Sequence, residues 1–138
     1  MRKFTDISWA GHIIKQKTEE YLFHKVIRNG GDLLTEEHAI QNEIRKAVSP
    51  YCIIFRINVG EGKTKDGRYF STGVPKGFSD LFGVRKSDGK AVFIEVKTKT
   101  GRVSKVQKNF IEQMKKTGAV AGICRSAEDA VNLIKKGF

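Results

Sequence analysis

The chain has 138 residues, enough for one domain that buries roughly two-thirds of the surface its unfolded form exposes. With 39% hydrophobic and 30% charged residues it is too apolar for a disordered chain, and no apolar run nears the ~20 residues that cross a bilayer. Residues 1–20 lack the apolar stretch of a signal peptide, so a cytoplasmic protein is expected, and 26 Lys and Arg against 15 Asp and Glu leave +11, which favours a polyanionic partner, nucleic acid before membrane.

In chain order, Asn29-Gly30-Gly31 separates an N-terminal arm, residues 1–34, from a domain spanning 35–138. Within the arm, Tyr21, Leu22 and Val26 share a helical face, so a short helix is expected over 18–27. Thr35 can cap a helix whose apolar stripe is Ala39, Ile40, Ile44, Ala47 and Val48, and Pro50 ends it. Residues 51–59 are β-branched and aromatic and read as a strand, while 60–73, rich in Gly and Lys, read as a mobile loop. Val74-Pro75-Lys76-Gly77 fits a type I turn. Asp88-Gly89 signals a hairpin between strands over 80–86 and 90–97. Ser104 and Gln107 form a capping box for a helix that buries Val106, Phe110, Ile111 and Met114 and stops at Gly118. A short strand over 119–124 and a helix over 127–136, capped by Ser126, complete the chain. The order implies an α/β domain with a mixed central sheet flanked by helices, its last strand parallel to a neighbour.

With Asp88 and Gly89 as the loop, Phe82 lies opposite Glu95 and Asp80 opposite Lys97, and all four share one face. Asp80 and Glu95 become diagonal neighbours about 7 Å apart at the backbone, able to share one hard cation such as Mg²⁺. Such a cation can orient a water for attack on phosphorus, and Lys97 can hold that water or stabilise the developing charge. Glu43 stands between Ala39 and Ala47 on the apolar stripe, a costly place for a charge, and could deliver a third carboxylate to the site; the alternative is a border position paired with a Lys or Arg.

Gln107 could reach the metal-bound water, although its capping position already gives it a partner. Lys99, Arg102, Lys105 and Lys108 follow the acidic strand end and are candidate phosphate contacts. Lys63, Lys65 and Arg68 in the 60–73 segment, with Lys76, extend that basic set and make the segment a candidate for shaping substrate choice. Cys52 and Cys124 sit in apolar runs and are expected as buried thiols; His12, His24 and His38 lack metal-ligand spacing and are expected as surface or packing residues.

The segments GFSDLFGV from Gly77 and VFIEVKTKTGRVSKVQKNFIEQMKKTGAVAGICRSAEDAVNLI from Val92 resemble the virus-type replication-repair nuclease (VRR-NUC) domain of the PD-(D/E)xK superfamily. The resemblance runs from about Thr35 to Lys136 and implies a restriction-endonuclease-like core. It implies a metal-dependent endonuclease in which Asp80, Glu95 and the carbonyl of Val96 ligate Mg²⁺ or Mn²⁺ and Lys97 is the catalytic lysine. Glu43 looks like the family's helical Glu and Gln107 like its Gln after the Glu-x-Lys strand. Ser79 departs from the Pro of the Pro-Asp motif. Stand-alone members resemble phage proteins that dimerise and cut branched DNA such as Holliday junctions, so a homodimer acting on DNA in a host cytoplasm is the expectation. A basic binding protein that keeps the fold without turnover, and a nuclease preferring flaps or nicks, stay open beside it.

Overall fold

The computed structural model describes residues 35–136. The helix expected over 18–27, and His12 and His24, lie outside the described residues. Helix α1 (Glu36–Val48) begins with two acidic residues and ends with Arg45 and Lys46, charges that complement its dipole at both ends. It buries Gln41, Ile44 and Val48. Ala39, expected on that stripe, is exposed.

Strand β1 (Cys52–Arg56) is shorter than its apolar run. The 60–73 segment is not a mobile loop: it folds into an antiparallel pair, β2 (Glu61–Lys63) and β3 (Tyr69–Ser71). The first strand, Glu-Gly-Lys, is poor in strand formers, and the second, Tyr-Phe-Ser, is three residues long within a Gly- and Lys-rich stretch, which hid the pair. Thr64 closes the tip, its backbone N–H donating to Arg68 O at 2.8 Å, and Thr72 N donates to Gly60 O at 3.0 Å at the base.

The turn after it is shifted by one residue from the expected position. Phe78 N bonds Pro75 O at 3.2 Å, and Gly77, at φ 89°, occupies the third turn position, where a left-handed residue is required. A Cβ there would lie 2.4 Å from Val106 Cγ1, so glycine also lets this turn press against the next helix. Val106, expected in the core, is half exposed.

Strands β4 (Leu81–Arg85) and β5 (Ala91–Val96) form the expected antiparallel hairpin. Arg85 N bonds Lys90 O, so Lys86–Gly89 make the loop and the register differs by two residues from that expected: Phe82 faces Phe93, not Glu95. The even slip preserves which side chains share a face. Helix α2 (Lys105–Lys116), strand β6 (Val120–Cys124) and helix α3 (Ala127–Lys136) follow. Gly118 at φ 87° ends α2, and β6 runs parallel to β5, as the sequence implies.

The sheet order is β1-β4-β5-β6. One face packs Cys52, Ile54, Leu81, Ile94 and Val96 against Ile44 and Val48 of α1 and Ala130 and Ile134 of α3. The other packs Phe93 and Ala121 against Ile111 of α2, with Phe78, Phe82 and Phe110 in edge-on or tilted ring contacts. Both cysteines are buried and free; burial pushes the Cys52 thiol up to about 11 and the Cys124 thiol to about 12, which keeps them inert. Among the described residues no helix is long and apolar enough to cross a membrane.

Candidate active site

The second sheet face changes from aromatic to charged at one end of the β4–β5 pair. Phe93 is core, while Glu95, two residues on, is 1% exposed and Lys97 is 8% exposed. One residue before β4, the register brings Asp80 directly opposite Glu95 instead of diagonal to it. Asp80 is fixed there from both sides: its carbonyl accepts from Ile57 N at 2.8 Å, and its Oδ2 accepts from Val96 N at 2.8 Å. Ser79, where Pro was expected, is buried and its hydroxyl donates to Leu81 O at 3.1 Å, holding the entry to β4 without a proline.

Lys97 Nζ lies 2.9 Å from Glu95 Oε1 and 3.3 Å from Glu37 Oε1. The third carboxylate at the site is therefore Glu37, not Glu43. Gln41, Ile44 and Val48 define the buried side of α1, and Glu37 stands one turn before Gln41 on that side. Glu43 is two residues past Gln41, about 200° around the helix, and is exposed. Its near-alignment with Ala39 and Ala47 misled because those alanines border the stripe without defining it.

Gln107 completes the expected capping box and also touches Glu95, with different atoms. Its Oε1 accepts from Ser104 N at 3.0 Å while Ser104 Oγ accepts from Gln107 N at 3.2 Å, completing the capping box. Its Nε2 donates to Glu95 Oε1. The cap thus aims an amide N–H at the buried carboxylate.

Burial dominates the electrostatics. It pushes the Glu95 carboxyl up to about 7, with neighbouring Asp80 adding to the rise and Lys97 opposing it. Asp80 is raised in the same sense, burial first, against the Val96 N–H and Lys97, which favour its ionised form. For Lys97, burial pulls downward, but its contacts with Glu95 and Glu37 outweigh it and hold the ammonium above its ordinary range. The lysine is a fixed cation, and the carboxyl pair needs further positive charge to ionise fully.

That need fits a hard divalent cation: two converging carboxyls supply oxygen donors, and Mg²⁺ commonly takes one or two protein carboxylates and fills its shell with water. Val96, whose N–H already steadies Asp80, adds a backbone carbonyl next to the pair. Among the described residues no group of three or more His, Cys, Asp or Glu is gathered as a metal site.

A cleft opens over the centre, lined by Glu37, Asp80 and Gln107 together with His38, Gln41, Arg56 and Lys76. His38, expected as a surface or packing residue, pairs its Nε2 with Arg56 Nη2 at 2.7 Å in the cleft wall. Gln41 is 4% exposed, with its Oε1 buried and unpartnered. Sequence pattern missed Glu37, Arg56 and Gln41; the spacing of 37, 41, 44 and 48 was the available signal. Lys99, Arg102, Lys105 and Lys108 are exposed around the start of α2, and Lys63, Lys65 and Arg68 are exposed on the hairpin. Arg125 braces the basic connection before α2, donating to the carbonyls of Thr98 and, at 2.9 Å, Gly101.

The sequence profile of the VRR-NUC domain family matches residues 12–128, beginning inside the N-terminal arm and ahead of the motifs quoted above. A comparison with curated proteins gives no match. Among solved structures, one described as a VRR-NUC domain superposes with a TM-score of 0.53 at 20% identity, covering 76% of this chain and 100% of that one.

Proposed function

Because this chain belongs to the VRR-NUC domain family, whose members carry a nuclease domain of the PD-(D/E)xK type, we propose that it is a divalent-metal-dependent DNA endonuclease selective for branched substrates. The observation that carries this reading is the convergence of Asp80, Glu95 and Lys97 at one sheet end, beneath a cleft with Arg56 and Lys76 in its wall.

In the proposed hydrolysis, a water oxygen bonds to phosphorus as a bridging P–O bond breaks, and the leaving oxygen takes up a proton. Asp80, Glu95 and the Val96 carbonyl would hold Mg²⁺ or Mn²⁺, which supplies charge against the phosphate oxygens and makes water more acidic. Lys97, held by Glu95 and Glu37, donates hydrogen bonds to the attacking water or to the charge that develops. Glu37 orients Lys97 from α1, and Gln107 holds Glu95 from α2. Arg56, Lys76 and the exposed Lys99, Arg102, Lys105 and Lys108 neutralise backbone phosphates on either side.

A four-way junction offers two equivalent strands, and symmetric incision takes two active sites related by a two-fold axis, which a homodimer supplies. Phe55 and Val84, 49% and 40% exposed on the sheet face shared with Phe82, offer an apolar surface for that contact. The test is incubation of labelled four-way junction, flap and plain duplex DNA with Mg²⁺, Mn²⁺ or EDTA. Metal-dependent cutting of junctions ahead of duplex is expected. Cutting of flaps alone would replace the junction reading, and binding without cutting under every condition would leave a nucleic-acid-binding protein.

A further inference from the structure

The β2–β3 hairpin exposes two aromatic rings, Tyr69 at 64% and Phe70 at 48%. Exposed rings on a hydrogen-bonded ribbon call for a partner. The hairpin leaves the wall of the cleft directly: Ile57, Asn58 and Val59 line the cleft, and Gly60 begins the ribbon. It is tied at its base by Thr72, whose hydroxyl bonds both the N–H and the carbonyl of Gly60, and at its tip by Thr64.

Both rings are held in place. Phe70 faces Gly62 across the pair, and a Cβ at Gly62 would lie 3.1 Å from Phe70 Cε1, so the ring rests closely on bare backbone and a side chain there would make it shift by a few tenths of an ångström. The Tyr69 hydroxyl donates to Glu61 Oε2 at 2.6 Å. Adjacent strand residues point to opposite faces, so the ribbon carries one fixed ring on each. Lys63, Lys65 and Arg68 are exposed around them.

A flat ring fixed beside cationic side chains is the chemistry that stacks an unpaired base while drawing in its phosphates. A second copy of this chain is the poorer occupant of the hairpin, since Lys63, Lys65 and Arg68 beside the rings would face their own counterparts. Resting on the nuclease reading above, we propose that Phe70 is a stacking platform for an unstacked base of the DNA entering the cleft, and so sets the preference for branched over continuous duplex. Gly62 belongs to the same device, because it is what seats the ring.

The experiment places 2-aminopurine at the branch point of a four-way junction and at the matching position of a continuous duplex, and titrates each with the full chain in EDTA. Wild type should quench the branch-point probe. Phe70→Ala should lose the quench and weaken junction binding roughly 5- to 100-fold, with duplex binding within about twofold, and Phe70→Trp should restore both. An unchanged quench in Phe70→Ala, or equal loss on both substrates, overturns the platform; so does a change of oligomeric state by light scattering that accounts for the loss. The two readings fail separately. Wild type that quenches but cuts nothing with Mg²⁺ sinks the nuclease and leaves the platform, whereas cutting with no Phe70-dependent quench does the reverse. Failure to bind either DNA overturns both.

Discussion

At the scale of single residues, the division of labour among the carboxylates is the sharpest statement the structure makes. Glu37 touches Lys97 and Glu43 faces outward, although Glu43 occupies the place that apolar spacing marks. Glu37→Ala should therefore lower single-turnover cleavage at least about tenfold, by releasing the lysine, while Glu43→Ala stays near wild type. The opposite ranking would return the helical role to Glu43. Glu95 makes a second prediction, about pH. Its carboxyl is raised by burial from 4.5 to about 7, so between those values the folded protein holds a proton that the unfolded chain has released. The resulting stability is fully present below pH 4.5 and is lost as pH rises through 7. In metal-free solution Glu95→Gln should melt higher than wild type at pH 8 and close to it at pH 4.5, and Mg²⁺ should narrow the difference at pH 8. Equal melting temperatures at pH 8 without metal would mean that Glu95 is not strained by burial.

At the scale of elements, α2 joins stability to the site through one side chain. Ser104→Ala removes half of the capping box and should cost roughly 1 kcal/mol in denaturant unfolding. Because Gln107 reaches Glu95 from the same turn, that variant should also lose cleavage, while removing Lys115, at the far end of the helix, should not. Loss of stability with full activity would separate the cap from the site. Elements with strong local grammar were legible in the sequence: the Ser104 box, the stop at Gly118, the Asp88-Gly89 hairpin, and α3 with its Ser126 cap. The hairpin register was not, because Asp88-Gly89 marks a turn without fixing which residues close it, and the Arg85–Lys90 pair closed it two positions early on one side and in place on the other. The charged face survived that error since the slip was even. The β2–β3 pair was illegible because its Glu-Gly-Lys strand has little strand propensity and Tyr69-Phe70 is too short a run to mark one, while side-chain bonds from Thr64 and Tyr69 help to close the ribbon.

At the scale of the whole molecule, a sheet covered by α1 and α3 on one face and by α2 on the other has a charged corner to which all three layers contribute: Glu37 from α1, Asp80, Glu95 and Lys97 from the β4–β5 pair, and Gln107 from α2. Among the described residues, exposed Lys99, Arg102, Lys105 and Lys108 lie apart from the acidic centre, and on the proposed function affinity for the phosphate backbone and the chemistry on it reside in different residues. The most direct measurement follows from that separation: single-turnover cleavage and binding of the same labelled junction, with Mg²⁺, by wild type, Glu95→Ala and Lys97→Ala. Binding should stay within about threefold while cleavage falls by at least about 100-fold in both variants. Cleavage surviving within tenfold of wild type in either one would place the hydrolytic centre elsewhere in the chain.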